Sequence, residues 1–250
     1  RTVNVVDTGL PVITLLGIDP VTIEVGGTYT DAGATATDNY DGDLTSSIVV
    51  SGSVDVNTLG VYTLSYDVVD SSGNAAVTVT RTVNVVDTGL PVITLLGTDP
   101  VTIEVGSTYT DAGATAADNY DGDLTSSIVV SGSVDVNTLG VYTLSYDVTD
   151  SSSNAAVTVT RTVNVVDTGL PVITLLGTDP VTIEVGGTYT DAGATATDNY
   201  DGDLTSSIVV SGSVDVNTLG VYTLSYDVTD SSSNAAVTVT RTVNVVDTGL

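Results

Sequence analysis

Two short aspartate-rich segments are the part of this sequence best suited to chemistry. The first spans residues 38–43 (DNYDGD) and the second residues 70–74 (DSSGN), while Asp7 precedes both. Three carboxylates within six residues repel one another in a short loop, and a bound cation is the simplest relief. Oxygen ligands without histidine or cysteine favour Ca²⁺, which takes about six to eight oxygens in flexible geometry, over zinc or copper. The segments therefore predict a calcium site.

These acidic positions recur along the chain, so the predicted ligands form a repeated set. Residues 38–43 resemble part of an EF-hand loop, but the bidentate glutamate that closes such a loop is missing. Turn formation by Asp, Asn and Gly is the alternative interpretation. A metal beside a linker would stiffen it, and this position favours the calcium interpretation. The predicted ligands are Asp7, Asp38, Asp41, Asp43, Asp70, Asn74, Asp87, Asp118, Asp121, Asp123, Asp150, Asn154, Asp167, Asp198, Asp201, Asp203, Asp230 and Asn234.

Composition excludes most catalytic chemistry. The sequence has no Cys, His, Lys, Met, Trp or Phe. Disulfides, imidazole bases, Schiff bases and the usual nucleophile arrangements are therefore impossible. Paired carboxylates can hydrolyse glycosides, but they need one deep cleft, and an array that repeats every feature offers no single cleft. We predict that the protein is not an enzyme.

The net charge of −27 argues against binding to nucleic acid or anionic lipid and points to metal ions as electrostatic partners. An apolar content of 41% is too high for a disordered acidic tail. No apolar run approaches the ~18 residues that a membrane span needs. The absence of cysteine is consistent with an exported protein.

The chain is a tandem array. Residues 1–80, 81–160 and 161–240 differ at only five positions (18, 27, 37, 69 and 73 in the first copy), and residues 241–250 repeat residues 1–10. A period of 80 suits a small independent domain. The segment Asp-Thr-Gly-Leu-Pro recurs from Asp7, Asp87 and Asp167, and we interpret it as the linker. The predicted boundaries are 1–10 (the last strand of a preceding repeat plus linker), 11–86, 91–166, 171–246 and 247–250 (the next linker).

Within one repeat, strand signals dominate and helical periodicity is absent. Tyr62, Leu64, Tyr66 and Val68 alternate with more polar neighbours, which predicts a half-buried strand. Further strands are predicted at 12–16, 21–25, 32–37, 47–51, 53–56 and 75–86. About seven short strands separated by Gly, Asp, Asn and Ser turns predict an all-β fold, a tandem array of Ig-like antiparallel β-sandwich domains.

Three further side chains carry specific predictions. Glu24 and Arg81, the only glutamate and the only cation of the repeat, are predicted to pair across neighbouring strands. Alternation places Arg81 on the apolar face, so a bulge or a position along the sheet edge is expected. Tyr40 is expected to be exposed, whereas the other tyrosines pack in the core.

Six segments of each repeat carry a family resemblance. In the first copy they read PVITL, VTIEVG, YTDAGATA, DGDLT, GVYTLSY and DSSGNA, at residues 11–15, 21–26, 29–36, 41–45, 60–66 and 70–75. The sequence resembles the bacterial surface Ig-like repeat, a module also found in insecticidal crystal proteins and similar to hyalin and cadherin-like repeats. The resemblance implies tandem domains of secreted or surface-anchored bacterial proteins that serve as spacers, adhesin stalks or accessory domains. It does not imply calcium, which is inferred from the aspartates alone.

The predicted function is structural. The repeats would form an extended stalk or fibre of a bacterial extracellular surface protein or adhesin, stiffened by Ca²⁺ at the interdomain junctions. The expected partners are the neighbouring repeats and other copies of the protein in a fibre. The alternatives are an adhesion module that binds a glycan or protein, and a filament subunit in which residues 1–6 complete a neighbour's sheet.

Overall fold

The computed structural model describes residues 1–249, which form strands and short 3₁₀ turns and no α-helix. No helix among these residues is long and apolar enough to cross a membrane. The strands of the first repeat are β1 (Val12–Leu15), β2 (Val21–Glu24), β3 (Ala34–Asp38), β4 (Gly42–Asp43), β5 (Val49–Ser51), β6 (Gly60–Asp67) and β7 (Val79–Val86). Those of the second are β8 (Val92–Leu95), β9 (Val101–Glu104), β10 (Ala114–Asp118), β11 (Gly122–Asp123), β12 (Val129–Ser131), β13 (Gly140–Asp147) and β14 (Val159–Val166). Those of the third are β15 (Val172–Leu175), β16 (Val181–Glu184), β17 (Ala194–Asp198), β18 (Gly202–Asp203), β19 (Val209–Ser211), β20 (Gly220–Asp227) and β21 (Val239–Val246).

Each repeat contains one three-stranded and one four-stranded sheet. In the first repeat the strand orders are β1-β3-β4 and β2-β7-β6-β5, and the other two repeats have the equivalent orders. The β2–β7 pair is parallel, whereas the other pairs of this repeat are antiparallel. The prediction of an all-β tandem array of Ig-like β-sandwich domains is confirmed.

The described residues fall into two compact units. The first contains residues 1–94 together with 114–129 and 146–159. The second contains residues 95–113, 130–145 and the chain from Thr160 onward. The complete first repeat therefore belongs to one unit and the complete third repeat to the other.

The core of a repeat is built from the inward faces of its strands. On β6, Leu64 and Tyr66 are buried while Val61 and Thr63 are exposed, which confirms the predicted alternation. The buried cluster of the first repeat is Ile13, Ala34, Ala36, Leu64, Tyr66 and Val68, and the third repeat has the equivalent set. Burial of one such valine or leucine contributes about 1.5–3 kcal/mol.

Arg81 lies in this core, and neither a bulge nor a sheet-edge position accommodates it. Pairing of β6 with β7 runs without interruption from Gly60 opposite Val85 to Tyr66 opposite Val79. The side chain is only 1% exposed. The predicted bulge or edge position is therefore wrong, and alternation alone places the arginine inside.

Two of the three nitrogens of the buried guanidinium donate to polar groups of the protein, whereas Nε has no partner among the described residues. Its Nη1 donates to Asp31 Oδ1 at 2.6 Å, and its Nη2 donates to the backbone carbonyls of Leu16 and Gly33. The Tyr66 hydroxyl donates to the same Asp31 oxygen at 2.6 Å. One arginine thereby ties the β6–β7 sheet to the segments that flank β1 and β3 of the opposite sheet.

This network makes stability depend on pH. Burial opposes ionisation of Asp31, but hydrogen bonds from Tyr66 and the Gly33 backbone, together with the Arg81 charge, hold its pKa below the usual value. The folded-state pKa lies below the unfolded one, so this stabilisation is present above about pH 4 and is lost as pH falls through the folded value. We expect the free energy of unfolding to fall steeply below about pH 4, and less steeply in Asp31→Asn. Urea titrations across that range check this, and equal slopes would contradict it.

The predicted pair between Glu24 and Arg81 is wrong. In the parallel β2–β7 pair, Glu24 lies opposite Val86, which is five residues beyond Arg81. The arginine faces the core, whereas the glutamate carboxylate accepts hydrogen bonds from the linker at Thr88 and Gly89. Strand register separates the two side chains.

Strand bounds differ from the prediction in several places. Residues 53–56 form no strand, because Asp55 accepts hydrogen bonds from Asn57 N and Thr58 Oγ1 and makes a turn. β7 begins at Val79 rather than residue 75, and β4 was not predicted. The 3₁₀ turn Thr45–Ser47 replaces the start of the predicted fourth strand.

Whether residues 1–6 form a strand depends on which strands are available to pair with them. Residues 1–6, predicted as a strand, have no strand structure and expose Val3 and Val5. The identical sequence at residues 81–86 pairs with β2 and β6, and residues 1–6 have no such partners among residues 1–249. The domain boundaries remain predictions, and Leu250 of the last predicted linker lies outside the described residues.

Backbone strain distinguishes the repeats at one position. Ser153 and Ser233 adopt φ of 74°, where the first repeat has Gly73 at 90°. A side chain in this left-handed region costs about 1 kcal/mol, which glycine avoids. We expect Ser233→Gly to raise the free energy of unfolding of the third repeat by about 0.5–1 kcal/mol. Calorimetry of the intact chain checks this, and the reverse change Gly73→Ser should lower the stability of the first repeat.

Candidate metal centre

The loop after β3 is shaped by its first aspartate. Asp38 ends β3, and its Oδ1 accepts hydrogen bonds from Tyr40 N at 2.7 Å and Asp41 N at 3.0 Å. Gly42 follows with φ of 76° and starts β4. This tight turn brings the Asp41 carboxylate back to the side of Asp38.

The second acidic segment, between β6 and β7, meets the first. Asp41 accepts hydrogen bonds from both Ser71 N at 3.0 Å and Ser71 Oγ at 2.7 Å. Within the segment, Asp70 accepts Asn74 N and Asn74 Nδ2, each at 2.7 Å. The two acidic loops therefore meet in one place, the acidic pole of the repeat.

The linker reaches the same place through Asn74. Its Nδ2 donates to the backbone carbonyl of Asp7 at 3.3 Å, and the equivalent bond joins Asn154 to Asp87 at 3.2 Å. The linker carboxylate then faces the two loops. Four aspartates of each repeat have carboxylate oxygens that lie within 4.8 Å of one another. They are Asp7, Asp38, Asp41 and Asp70; Asp87, Asp118, Asp121 and Asp150; and Asp167, Asp198, Asp201 and Asp230.

The other predicted ligands lie elsewhere or serve differently. Asp43 is outside the carboxylate cluster and accepts a hydrogen bond from Thr45 N at 2.9 Å, and Asp123 and Asp203 do the same with their own threonines. Asn74 borders the cluster, where its amide nitrogen joins Asp70 to the linker. Asn154 and Asn234 make the equivalent bonds.

Two buried carboxylate oxygens of each cluster have no hydrogen-bond partner. In the first repeat these are Oδ2 of Asp7 and Oδ2 of Asp38, and the side chain of Asp38 is 9% exposed. The same atoms of Asp87, Asp118, Asp167 and Asp198 are equally unpartnered. Turn formation accounts for the Oδ1 atoms, which accept backbone N–H groups, but leaves the Oδ2 atoms buried and unsatisfied.

Asp118 of the second cluster has a lowered pKa despite its crowded position. Burial raises the pKa of Asp118, but backbone N–H groups of Asp121, Tyr120 and Asn119 outweigh burial and hold it below its usual value. The four carboxylates of each cluster have no basic side chain among them. Carboxylate oxygens are ligands that divalent cations such as Ca²⁺ prefer.

The tyrosine of the acidic loop differs in exposure between the first and second repeats. Tyr40 is 73% exposed, as predicted, whereas Tyr120 is 39% exposed. Tyr120 lines a cavity of about 240 Å³ together with Val25, Gly26 and Asn57 of the first repeat. This loop therefore lies against the repeat before it.

Sequence reasoning missed one functional contact, the binding of the linker by Glu24. Thr88 N donates to Glu24 Oε1 at 2.9 Å and Thr88 Oγ1 donates to Oε2 at 2.7 Å. The available signal was the position of the single glutamate at the end of a strand, but only the parallel register shows that this end adjoins the linker.

The fold and its acidic pole define a class, that of tandem Ig-like repeats. The family described as "Bacterial surface protein, Ig-like domain" matches residues 13–85, 93–165 and 173–245, and the chain belongs to this family. The chain is 33% identical over 227 residues to an uncharacterized 81.3 kDa protein of Acholeplasma phage L2, covering 84% of this chain and 30% of that protein. It is 33% identical over 216 residues to the pesticidal crystal protein Cry22Aa of Bacillus thuringiensis, covering 81% of this chain and 28% of that protein. The chain thus spans less than a third of the length of either relative.

Solved structures show more distant likeness. A lipoprotein of Bacteroides thetaiotaomicron is 16% identical with a TM-score of 0.29, covering 92% of this chain and 99% of that one. Domains 4–9 of the surface layer protein SbsC are 15% identical with a TM-score of 0.23, covering 96% of this chain and 50% of that one. Likeness at this level carries no inference about function.

Proposed function

We propose that this chain is a non-catalytic stalk of a bacterial surface protein, in which each acidic pole binds one Ca²⁺ that stiffens the junction ahead of it. The observation that carries the proposal is the pair of buried, unpartnered Oδ2 atoms in each cluster, such as those of Asp87 and Asp118. A buried carboxylate oxygen without a partner is costly, and a cation supplies the missing partner.

The donor set favours Ca²⁺ over other metals. Every carboxylate of the cluster is a hard oxygen donor, and the four come from three separate segments of chain rather than from one rigid loop. Mg²⁺ demands near-ideal octahedral geometry and retains water, so it fits a site of this kind less well. The soft-ligand metals lack their preferred donors, because the sequence has neither cysteine nor histidine.

The position of the site supports the stalk role. Asp87 belongs to the linker between the first and second repeats, whereas Asp118, Asp121 and Asp150 belong to the second repeat. A cation bound by these four carboxylates would fix the linker to the repeat that follows it. Near-identical repeats suit a stalk, because each unit performs the same mechanical role, and membership of a bacterial surface family supports an extracellular location.

Thermal unfolding of the intact chain tests the proposal. With Ca²⁺ at about 100 times its dissociation constant, each filled site should add about 2.7 kcal/mol of stability. We therefore expect a clearly higher midpoint in Ca²⁺ than in chelator, and small-angle scattering should show a larger maximum dimension in Ca²⁺. Identical midpoints and identical scattering in the two conditions would overturn the proposal.

A further inference from the structure

The glutamate that ends the second strand of each repeat lies at the start of the linker. In the parallel β2–β7 pair, Glu24 is opposite Val86, and Val25 N donates to Val86 O at 2.7 Å. The next residues of the chain are the linker residues Asp87, Thr88 and Gly89. Parallel pairing therefore brings the Glu24 carboxylate beside the linker as the chain leaves the repeat.

This carboxylate holds the linker by three donors. Thr88 N, Thr88 Oγ1 and Gly89 N all donate to Glu24, at 2.9, 2.7 and 3.3 Å. Such charge-assisted hydrogen bonds are about twice as strong as neutral ones. Glu104 makes the same three contacts with Thr168 and Gly169, and Glu184 holds Thr248 in the same way.

The candidate calcium site holds the linker from the other side. Asp87 contributes its carboxylate to the cluster of the second repeat, and its backbone carbonyl accepts Asn154 Nδ2 at 3.2 Å. No residue of the first repeat contributes to that cluster among the described residues. A cation there would fix the orientation of the linker only relative to the following repeat. A separate contact is needed to fix it relative to the preceding repeat.

The first cluster shows that the glutamate does not build the metal site. The six residues before Asp7 are exposed and form no strand, and Gly9 N donates to Asp7 Oδ1 with no glutamate contact to this linker among the described residues. Asp7 nevertheless lies in the same four-carboxylate arrangement, held by Asn74. The carboxylate cluster therefore forms without the glutamate contact, although Glu24 also interacts with the side chain of Asp87 in the second cluster.

We infer that Glu24 and Glu104 are the coupling residues that transmit calcium binding in one repeat to the orientation of the repeat before it. The inference rests on the proposed calcium site. Glutamate at this position is a positioning residue and not a metal ligand. Its removal should therefore abolish the stiffening of the junction by Ca²⁺ and leave calcium binding in place.

The test uses spin labels in the intact chain, which has no native cysteine to compete for them. Cysteines replace the exposed Val61 and Val141 in the first and second repeats, and pulsed electron paramagnetic resonance measures the distance distribution with Ca²⁺ and with chelator. In the otherwise unaltered chain we expect Ca²⁺ to narrow the distribution. Glu24→Ala should keep the distribution broad in Ca²⁺ while its calcium affinity changes by less than about threefold.

Glu184→Ala provides the matched control. It removes the equivalent contacts with the N and Oγ1 of Thr248, but that linker does not lie between the labelled repeats. The distance distribution should then narrow with Ca²⁺ as before. Narrowing in Glu24→Ala equal to that of the control would overturn the coupling role, and so would a tenfold or greater loss of calcium affinity, which would make the glutamate part of the site. Absence of calcium binding in the unaltered chain would instead overturn the proposed function.

Discussion

Arg241→Met should destabilise the third repeat by about 3 kcal/mol, the lower end of the cost of removing one partner of a buried ion pair, because its partner Asp191 is 26% exposed. The guanidinium is 1% exposed, and it donates to Asp191 and to the carbonyls of Leu176 and Gly193. Methionine fills much of the same volume but donates nothing. The aspartate and both carbonyls would then lose their common donor inside the sandwich.

The chain contains its own control for this change. Arg1 begins the same sequence as Arg241, but it is exposed and lies outside any strand. Arg1→Met should therefore leave stability unchanged to within about 0.5 kcal/mol. Calorimetric unfolding of both variants makes the comparison, and equal effects would contradict a structural role for the buried arginine.

The second large effect depends on calcium. In chelator, Asp118→Asn should lower the stability of the second repeat slightly, because the ionised carboxylate, whose pKa lies below its usual value, accepts Tyr120 N and Asp121 N more strongly than a neutral amide oxygen does. In Ca²⁺ the loss should be larger, by up to about 2.7 kcal/mol at a calcium concentration 100 times the dissociation constant. Thermal unfolding of the parent and the variant in the two conditions measures both losses.

Asp123→Asn is the matched control for Asp118→Asn. Asp123 lies five residues further along the same acidic segment, outside the carboxylate cluster, and accepts hydrogen bonds from Thr125 as a turn residue does. Its small effect should be the same with and without Ca²⁺. If both variants respond alike in the two conditions, the aspartates serve turns and solubility and not a metal.

Much of the fold could be predicted because local sequence and tertiary structure agree. Alternation along β6 identifies the buried face, and the glycine-rich and aspartate-rich turns separate the strands. Residues 53–56 were misassigned because the Asp55 turn competes with their strand propensity. A single buried arginine breaks the rule that charges stay outside, and nothing in the spacing identifies Asp31 as its partner.

The sequence predicts that aspartates form the acidic pole, but it does not predict which of them lie in the carboxylate cluster. Asp38, Asp41, Asp70 and linker Asp7 come together because the loop after β3 and the loop after β6 meet through Ser71. Asp43, although only two residues from Asp41, belongs to β4 and points to a different partner. Sequence spacing does not encode that difference, since it depends on where the turn ends and the strand begins.

Isothermal titration calorimetry of the intact chain with Ca²⁺, in buffer freed of metal beforehand, tests the central claim that each acidic pole binds one calcium ion. Three clusters of four aspartates predict three Ca²⁺ bound per chain, with Asp118→Asn reducing the stoichiometry to two at moderate calcium and Asp123→Asn leaving it at three. No saturable heat of binding up to millimolar Ca²⁺ would contradict the account, and the three buried acidic poles would then be a feature of turn formation alone.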